Sequence, residues 1–246
     1  MRTKILILAS LIWSLPAFVC GQCIVFDKPE EGFARSEAVF LGKVIHRYPT
    51  GAEGDHQIVD VATFQVQRLW KGDIGREVHV GADLPFQTGS EYVVFASGEP
   101  LSTSILCHWT ELPEHATSKL DWLSTQQEKE GRFTDLQLSS RIGRPVPGKY
   151  PAVRDAGDWL NPYIVVCSDG VRVITNPVKG DSAVAIRELR ETLVSLPVEA
   201  WPYGRIAALQ PCSVRDPWDT IVVRVRLAHV TAVLESLGVM INRSPP

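Results

Sequence analysis

The residues best equipped for chemistry are five cysteines, six histidines and a few paired acids, and their spacing limits what each can do. Cys167 with Asp169 and a distant histidine would make a nucleophile, but a structural half-cystine is the better reading of Cys167 in an exported chain. His79, His108, His115 and His229 stand isolated, whereas a zinc site needs three or four converging ligands. They read as surface or capping histidines. Asp155 with Asp158 and Asp216 with Asp219 form two Asp-x-x-Asp pairs, which suit turns and helix caps better than calcium. Asn242-Arg243-Ser244 fits a glycosylation sequon in what reads as a frayed tail. The expectation is a chain with no catalytic residues, no cofactor and no metal.

The compartment sets the cysteine chemistry. Arg2 and Lys4 precede an apolar run over residues 5–19, the pattern of a signal peptide. The run is shorter than the about 20 residues that a membrane span requires. Val19 and Gly21 occupy the positions that a signal peptidase reads for cleavage before Gln22, and bulky Phe18 and Val19 disfavour lipidation at Cys20. Removing residues 1–21 leaves Cys23, Cys107, Cys167 and Cys212, an even number that fits two disulfides. Three connectivities exist. Pairing Cys23 with Cys107 and Cys167 with Cys212 keeps each bond within one expected domain. The mature chain has no Cys-x-x-Cys pair and no His-x-x-x-His, which excludes the common zinc spacings. Cleavage removes two of the 25 basic residues and none of the 28 acidic ones, leaving a net charge of −5. With no basic run, nucleic acid is disfavoured as a partner. The chain is expected in the periplasm or secreted, with no membrane span after the signal is removed.

The elements that must position these residues begin with residues 39–96. Phe64, Val66 and Trp70 alternate with Gln65, Gln67 and Leu69, and Val78, Val80 and Ala82 alternate with Glu77, His79 and Gly81. A period of two predicts strands with one buried face. Residues 92–96 hold no polar side chain, which predicts a strand covered on both faces. Lys71-Gly72-Asp73 and Thr88-Gly89-Ser90 are turns, and residues 104–110 give a fifth strand carrying Cys107. Short strands separated by turns predict an all-β barrel of five strands.

The ordered set Cys23, Phe33-Ala34, Val39-Phe40-Leu41-Gly42-Lys43-Val44, Trp70-Lys71-Gly72, Phe86, Gly89, Tyr92-Val93-Val94-Phe95-Ala96 and Cys107 resembles the bacterial relatives of the tissue inhibitors of metalloproteinases. These carry the netrin-like version of the OB-fold, and the resemblance covers about residues 23–127. It implies an OB-like (TIMP-like) barrel and a protein partner met by the N-terminal segment and a nearby hairpin loop. That surface would comprise Gln22, Cys23, Ile24, Val25, Tyr48 and Thr50. In those inhibitors the α-amine and carbonyl of a first-residue cysteine bind the protease zinc. Here Gln22 precedes Cys23, which displaces the amine from the one position where it could ligate. The resemblance therefore implies the fold and the disulfide but not the zinc-chelating edge.

Residues 24–37 read as an irregular lead, with Phe33 as anchor and a helical turn over residues 34–37. Residues 48–55 form a polar hairpin tip. Residues 115–127 read as a helix with Ala116, Leu120 and Leu123 on its buried face and Trp122 on the barrel rim. The expected division is residues 1–21 as signal, 22–140 as barrel, 141–160 as a Pro/Gly-rich linker and 161–246 as a small α+β domain. In that second domain Tyr163 to Cys167, Ser168-Asp169-Gly170 and Val171 to Thr175 predict a hairpin. Asp181 would cap a helix with Ile186, Leu189, Leu193 and Leu196 on one face, and a strand follows the turn at Trp201-Pro202-Tyr203-Gly204. From residue 216, Asp-Pro-Trp-Asp predicts a helix start, against a rival strand drawn from Arg224 and Arg226 alternating with Val223 and Val225. The resulting order, ββαβαβ with helices on one sheet face, resembles the periplasmic domain of ExbD-type transport proteins. The functional expectation is an exported, non-catalytic protein-binding module, protease inhibition being one form of it. The alternative is an enzyme, hydrolytic or other, with its site in the C-terminal domain or the interdomain cleft.

Overall fold

The computed structural model describes residues 28–51, 57–105, 107, 109–129, 136–146, 148, 150, 159–175, 180–213 and 216–243. The protein is a mixed α/β structure whose two cores are built mostly on sheet. A 12-residue strand, β1 (Ala38–Pro49), organises the first sheet. It pairs antiparallel with β2 (Asp60–Lys71) on one side and with β4 (Glu91–Ala96) on the other. β2 continues to β3 (Glu77–Ala82), and β3 pairs parallel with β5 (Ser102–Thr103). β4 pairs with β6 (Thr110–Glu111), giving the order β5-β3-β2-β1-β4-β6.

The sheet curls until its two ends nearly meet. The backbone N–H groups of Trp109 and Thr110 donate to the carbonyl of Ser104 at 2.9 and 3.3 Å, and the hydroxyls of Thr103 and Thr110 lie 2.7 Å apart. The single strand expected over residues 104–110 is therefore broken in two: β5 and β6 fill, in pieces, the place between β3 and β4 that a fifth strand would take. The cause is distant in sequence. The Asp83 carboxylate accepts from the Ser104 hydroxyl and from the Ile105 N–H at 2.8 Å, and so holds the chain in a turn. Cys107 sits in this turn and is disulfide-bonded, while Cys23, its expected partner, lies outside the described residues.

Inside the barrel the rings of Phe40, Phe64, Phe86 and Tyr92 meet edge to face, with centroids 5.0–6.2 Å apart, the favoured aromatic arrangement. β-Bulges correct the expected alternation. The β1–β2 register skips Trp70 and Gln67, so Leu69 turns into the core instead of lying on the wetter face. Trp70 joins Val39, Val93 and Phe95 on the outer surface, under α1 (Pro29–Arg35) and α2 (Thr117–Leu123). β4 is thus covered on both faces, as its lack of polar residues requires. α1 begins at Pro29, earlier than the turn expected over 34–37. α2 is shorter than residues 115–127, yet it buries Ala116 and Leu123 and packs Trp122 on Phe33 at 5.3 Å.

The second sheet has five strands in the order β11-β10-β7-β8-β9. β7 (Tyr163–Val166), β8 (Val171–Thr175) and β9 (Gly180–Val184) form an antiparallel meander, and β10 (Ile206–Pro211) runs parallel to both β7 and β11 (Met240–Arg243). α3 (Ile186–Ser195) and α4 (Pro217–Ser236) carry the two crossovers. β9 was not expected. Asp181 lies within it rather than capping α3, because residues 180–184 pair along the edge of β8; α3 instead starts after Ala185 with no side-chain cap. The order is accordingly βββαβαβ. α4 starts as its caps predict: Pro217 is the first helical residue and the Asp216 carboxylate accepts from the Trp218 N–H. The caps prevail over the strand alternation. Asn242, expected in a frayed tail, pairs with Ala208 in β11.

Both helices pack on one face of this sheet, in a core that includes Ile164, Val173, Leu189, Leu193, Val230 and Leu234. The other face is covered by Trp159, Tyr150 and Tyr203. The stretch expected as a linker contributes to this packing. Ile142 is buried in the second core together with Leu138, and Arg205 donates from its backbone N–H to Gly143 at 2.9 Å and from Nε to Ile142 at 2.9 Å. Gly204 has φ +82°, and a Cβ there would meet the Gly143 carbonyl at 2.7 Å. Buried Asn161 stitches the same corner, donating to the carbonyls of Gly204 and Ile206 and accepting from the Tyr203 N–H. Cys167 and Cys212 form a disulfide that ties the end of β7 to the end of β10.

Candidate functional site

The seam between the barrel and α4 gathers the most chemistry. α4 packs against β1, β2 and β3 as well as against its own sheet. Seven consecutive residues, Ala228 through Leu234, are buried. A helix buried on all sides must be apolar all round, and only His229 and Thr231 interrupt that here. Glycine makes the close approach feasible. At Gly81 of β3, a Cβ would lie 2.8 Å from Ile58 Cγ2 and 3.4 Å from His229 Nε2.

His229 Nε2 is buried and has no hydrogen-bond partner among the described residues. Burial lowers its pKa from the ordinary 6.5 to about 3. Across the seam, His79 Nδ1 shares a hydrogen bond of 2.9 Å with the Thr63 hydroxyl. Burial first, then repulsion from His229 and Arg190, lowers the His79 pKa to about 3 as well. Both rings are neutral at physiological pH. They line a cleft of ≈ 350 Å³ whose walls also carry Glu77, Arg187, Arg190 and Val233. Polar contacts run across the same seam: Arg190 lies 3.9 Å from Glu77, and the Arg187 N–H donates to Glu99 at 3.2 Å. At the other end Tyr48 donates to Glu235 at 3.0 Å and Arg224 donates to the Gly51 carbonyl at 3.1 Å. Burial, then the Glu235 carboxylate, raises the Tyr48 pKa above the usual phenol range.

Two residues of the expected binding surface are therefore placed by α4. Tyr48 is held by Glu235, and Thr50 is buried with its hydroxyl donating to Ile58 at 2.7 Å. Neither stands on a free hairpin tip, because a helix nearly two hundred residues away in sequence covers that end of the hairpin. Gln22, Cys23, Ile24 and Val25 lie outside the described residues, as do His108, Asp155 and Asp158. His115 is exposed, and Asp216 serves as a cap. Among the described residues no group of three or more His, Cys, Asp or Glu converges as a metal site, and no helix is long and apolar enough to cross a membrane.

His79 and His229, expected to be isolated surface or capping histidines, instead line one cleft, because α4 packs on β3 and buries the His229 ring. The exposed end of α4 was not singled out in the sequence. Trp218 is 70% exposed and Val222 38% exposed. Their spacing to Val225 and His229 places them on the helix stripe that meets the barrel further along. No protein-family model matches the chain, and no curated protein matches it.

Proposed function

We propose that the protein is an exported protein-binding module, built on an OB-like barrel of the kind the tissue-inhibitor resemblance implies. In this reading the recognition surface is composite, joining the β1–β2 hairpin to the N-terminal end of α4. Its support is Trp218: a large aromatic, 70% exposed, at the start of a helix whose residues 228–234 are all buried. Tryptophan, tyrosine and arginine dominate binding hot spots, and Val222 and Arg224 follow within two turns of Trp218. The disulfide Cys167–Cys212 supports an oxidising compartment. The β3–β5 and β4–β6 pairings support the OB-like reading, since they put an interrupted fifth strand between β3 and β4.

The experiment is a pull-down with the mature protein under oxidising conditions, comparing wild type with Trp218→Ala and with Arg172→Gln, an exposed control on β8. The expected result is a specific partner retained by wild type and Arg172→Gln and lost by Trp218→Ala, whose melting temperature is unchanged. Identical capture by all three proteins contradicts the reading.

A second reading, an enzyme using the cleft at His79 and His229, is favoured by the convergence of titratable groups there. The physical chemistry weighs against it, because an imidazole of pKa about 3 is a poor general base near neutral pH.

A further inference from the structure

A second concavity lies on the far side of α4 from that cleft. It is a groove of ≈ 490 Å³ between the end of the β1–β2 hairpin, α4 and the strands β10 and β11. That volume lies in the range of small-molecule sites. Three arginines line it, Arg47, Arg224 and Arg243, and among the described residues no acidic one does.

The three differ in how they are used. Arg47 is neutralised by the buried Asp60 carboxylate at 2.7 Å. Arg224 donates to a neutral acceptor, the Gly51 carbonyl, and Arg243 stands exposed at the end of an edge strand. Neither has a carboxylate partner among the described residues. On α4, Glu235 is engaged by Tyr48 at 3.0 Å and by His46 at 3.7 Å. The floor is apolar, with Leu209 and Leu227, and the largely buried Thr231 adds a hydroxyl-bearing side chain.

We infer that this groove binds a small amphipathic anion: a carboxylate or phosphate group held by Arg224 and Arg243, with an apolar body lying along Leu209 and Leu227. A guanidinium presents paired donors that match the oxygens of a carboxylate or phosphate, and a walled cleft strengthens that attraction relative to open water. Two guanidiniums with no carboxylate partner among the described residues, set over an apolar floor, select for both parts of such a ligand. The groove shares Arg224 and the end of the hairpin with the proposed partner surface, but Trp218 does not line it, so a Trp218 variant and the arginine variants distinguish the two readings.

Calorimetric titration of the full mature protein with octanoate, octanol and inorganic phosphate tests this. The expected result is saturable binding of octanoate, weakened by added salt, with octanol at least about tenfold weaker. In Arg224→Gln/Arg243→Gln, octanoate affinity falls at least about tenfold while circular dichroism and the melting temperature stay as in wild type. Arg243→Gln alone changes an exposed residue near the end of the chain and shows part of the same loss if the double variant folds poorly. Phosphate binding that the double variant loses supports the oxyanion contact and identifies the phosphate source; octanoate binding without phosphate binding identifies the carboxylate source. Octanol binding as tightly as octanoate, undiminished octanoate binding in both variants, or no saturable binding of any probe overturns the inference.

Discussion

The barrel and the open sheet bury their apolar faces in different ways. The barrel nearly closes on itself: β1 is paired on both sides, and the Phe40, Phe64, Phe86 and Tyr92 rings fill the space that curling creates. The open sheet cannot do this. It needs α3 and α4 on one face and a layer of Trp159, Tyr150 and Tyr203 on the other. α4 then has a second apolar side left over, and that side lies on the barrel around Gly81. The lesson is that the two sheets, each with its own core, meet through an element that belongs to both. The hairpin and α4 also touch through Tyr48 with Glu235 and Arg224 with Gly51.

If α4 joins the two cores, damage to one core should be felt in the other. Phe64→Ala empties the centre of the aromatic cluster and should lower stability by about 4 kcal/mol in urea denaturation. The same shift in midpoint should appear whether unfolding is followed through the barrel or through the second sheet. A shift confined to the barrel would separate the two regions.

Acid should act at the seam itself. His229 and His79 have folded-state pKa values near 3, below the unfolded value of about 6.5. The unfolded chain therefore takes up protons that the folded chain refuses. Stability is complete above about pH 6.5 and falls as pH drops toward 3, by up to about 1.4 kcal/mol per pH unit for a fully enclosed ring. His79 keeps part of its side chain at the cleft, so its share is smaller. His229→Leu should remove the larger part of this slope between pH 6 and 4. An unchanged slope would place the acid-sensitive group elsewhere.

Crowding the seam should cost less than emptying a core. Gly81→Val would force atoms against Ile58 and His229 and should destabilise by about 2 kcal/mol. Hydrogen exchange should quicken first in α4 and β3, with the centres of the two cores less affected. Uniform quickening would indicate that the seam is no weaker than the cores.

Much of the fold was legible because its signals are local. The caps around Pro217 distinguished a helix from a strand, and the unbroken apolar run of β4 announced cover on both faces. What stayed hidden depends on contacts far apart in sequence. The Asp83 carboxylate breaks the strand expected over 104–110, and β9 exists because β8 offers an edge. The surroundings of Tyr48 and Thr50 stayed hidden for the same reason. Tyr48 and Thr50 lie at the end of the hairpin, and nothing near them in sequence shows that α4 covers that end. One signal was available: residues 228–234 are apolar on every side apart from His229 and Thr231, which already means a helix buried from two directions.

The joining role of α4 is the central claim, and hydrogen exchange read by mass spectrometry across a urea series tests it most directly. Peptides from β1, β2 and β4 report the barrel, and peptides from β7 and β10 report the second sheet. The account predicts one shared midpoint for both sets, with α4 peptides losing protection at that same concentration. Two separate midpoints, with α4 following only the second sheet, would contradict it.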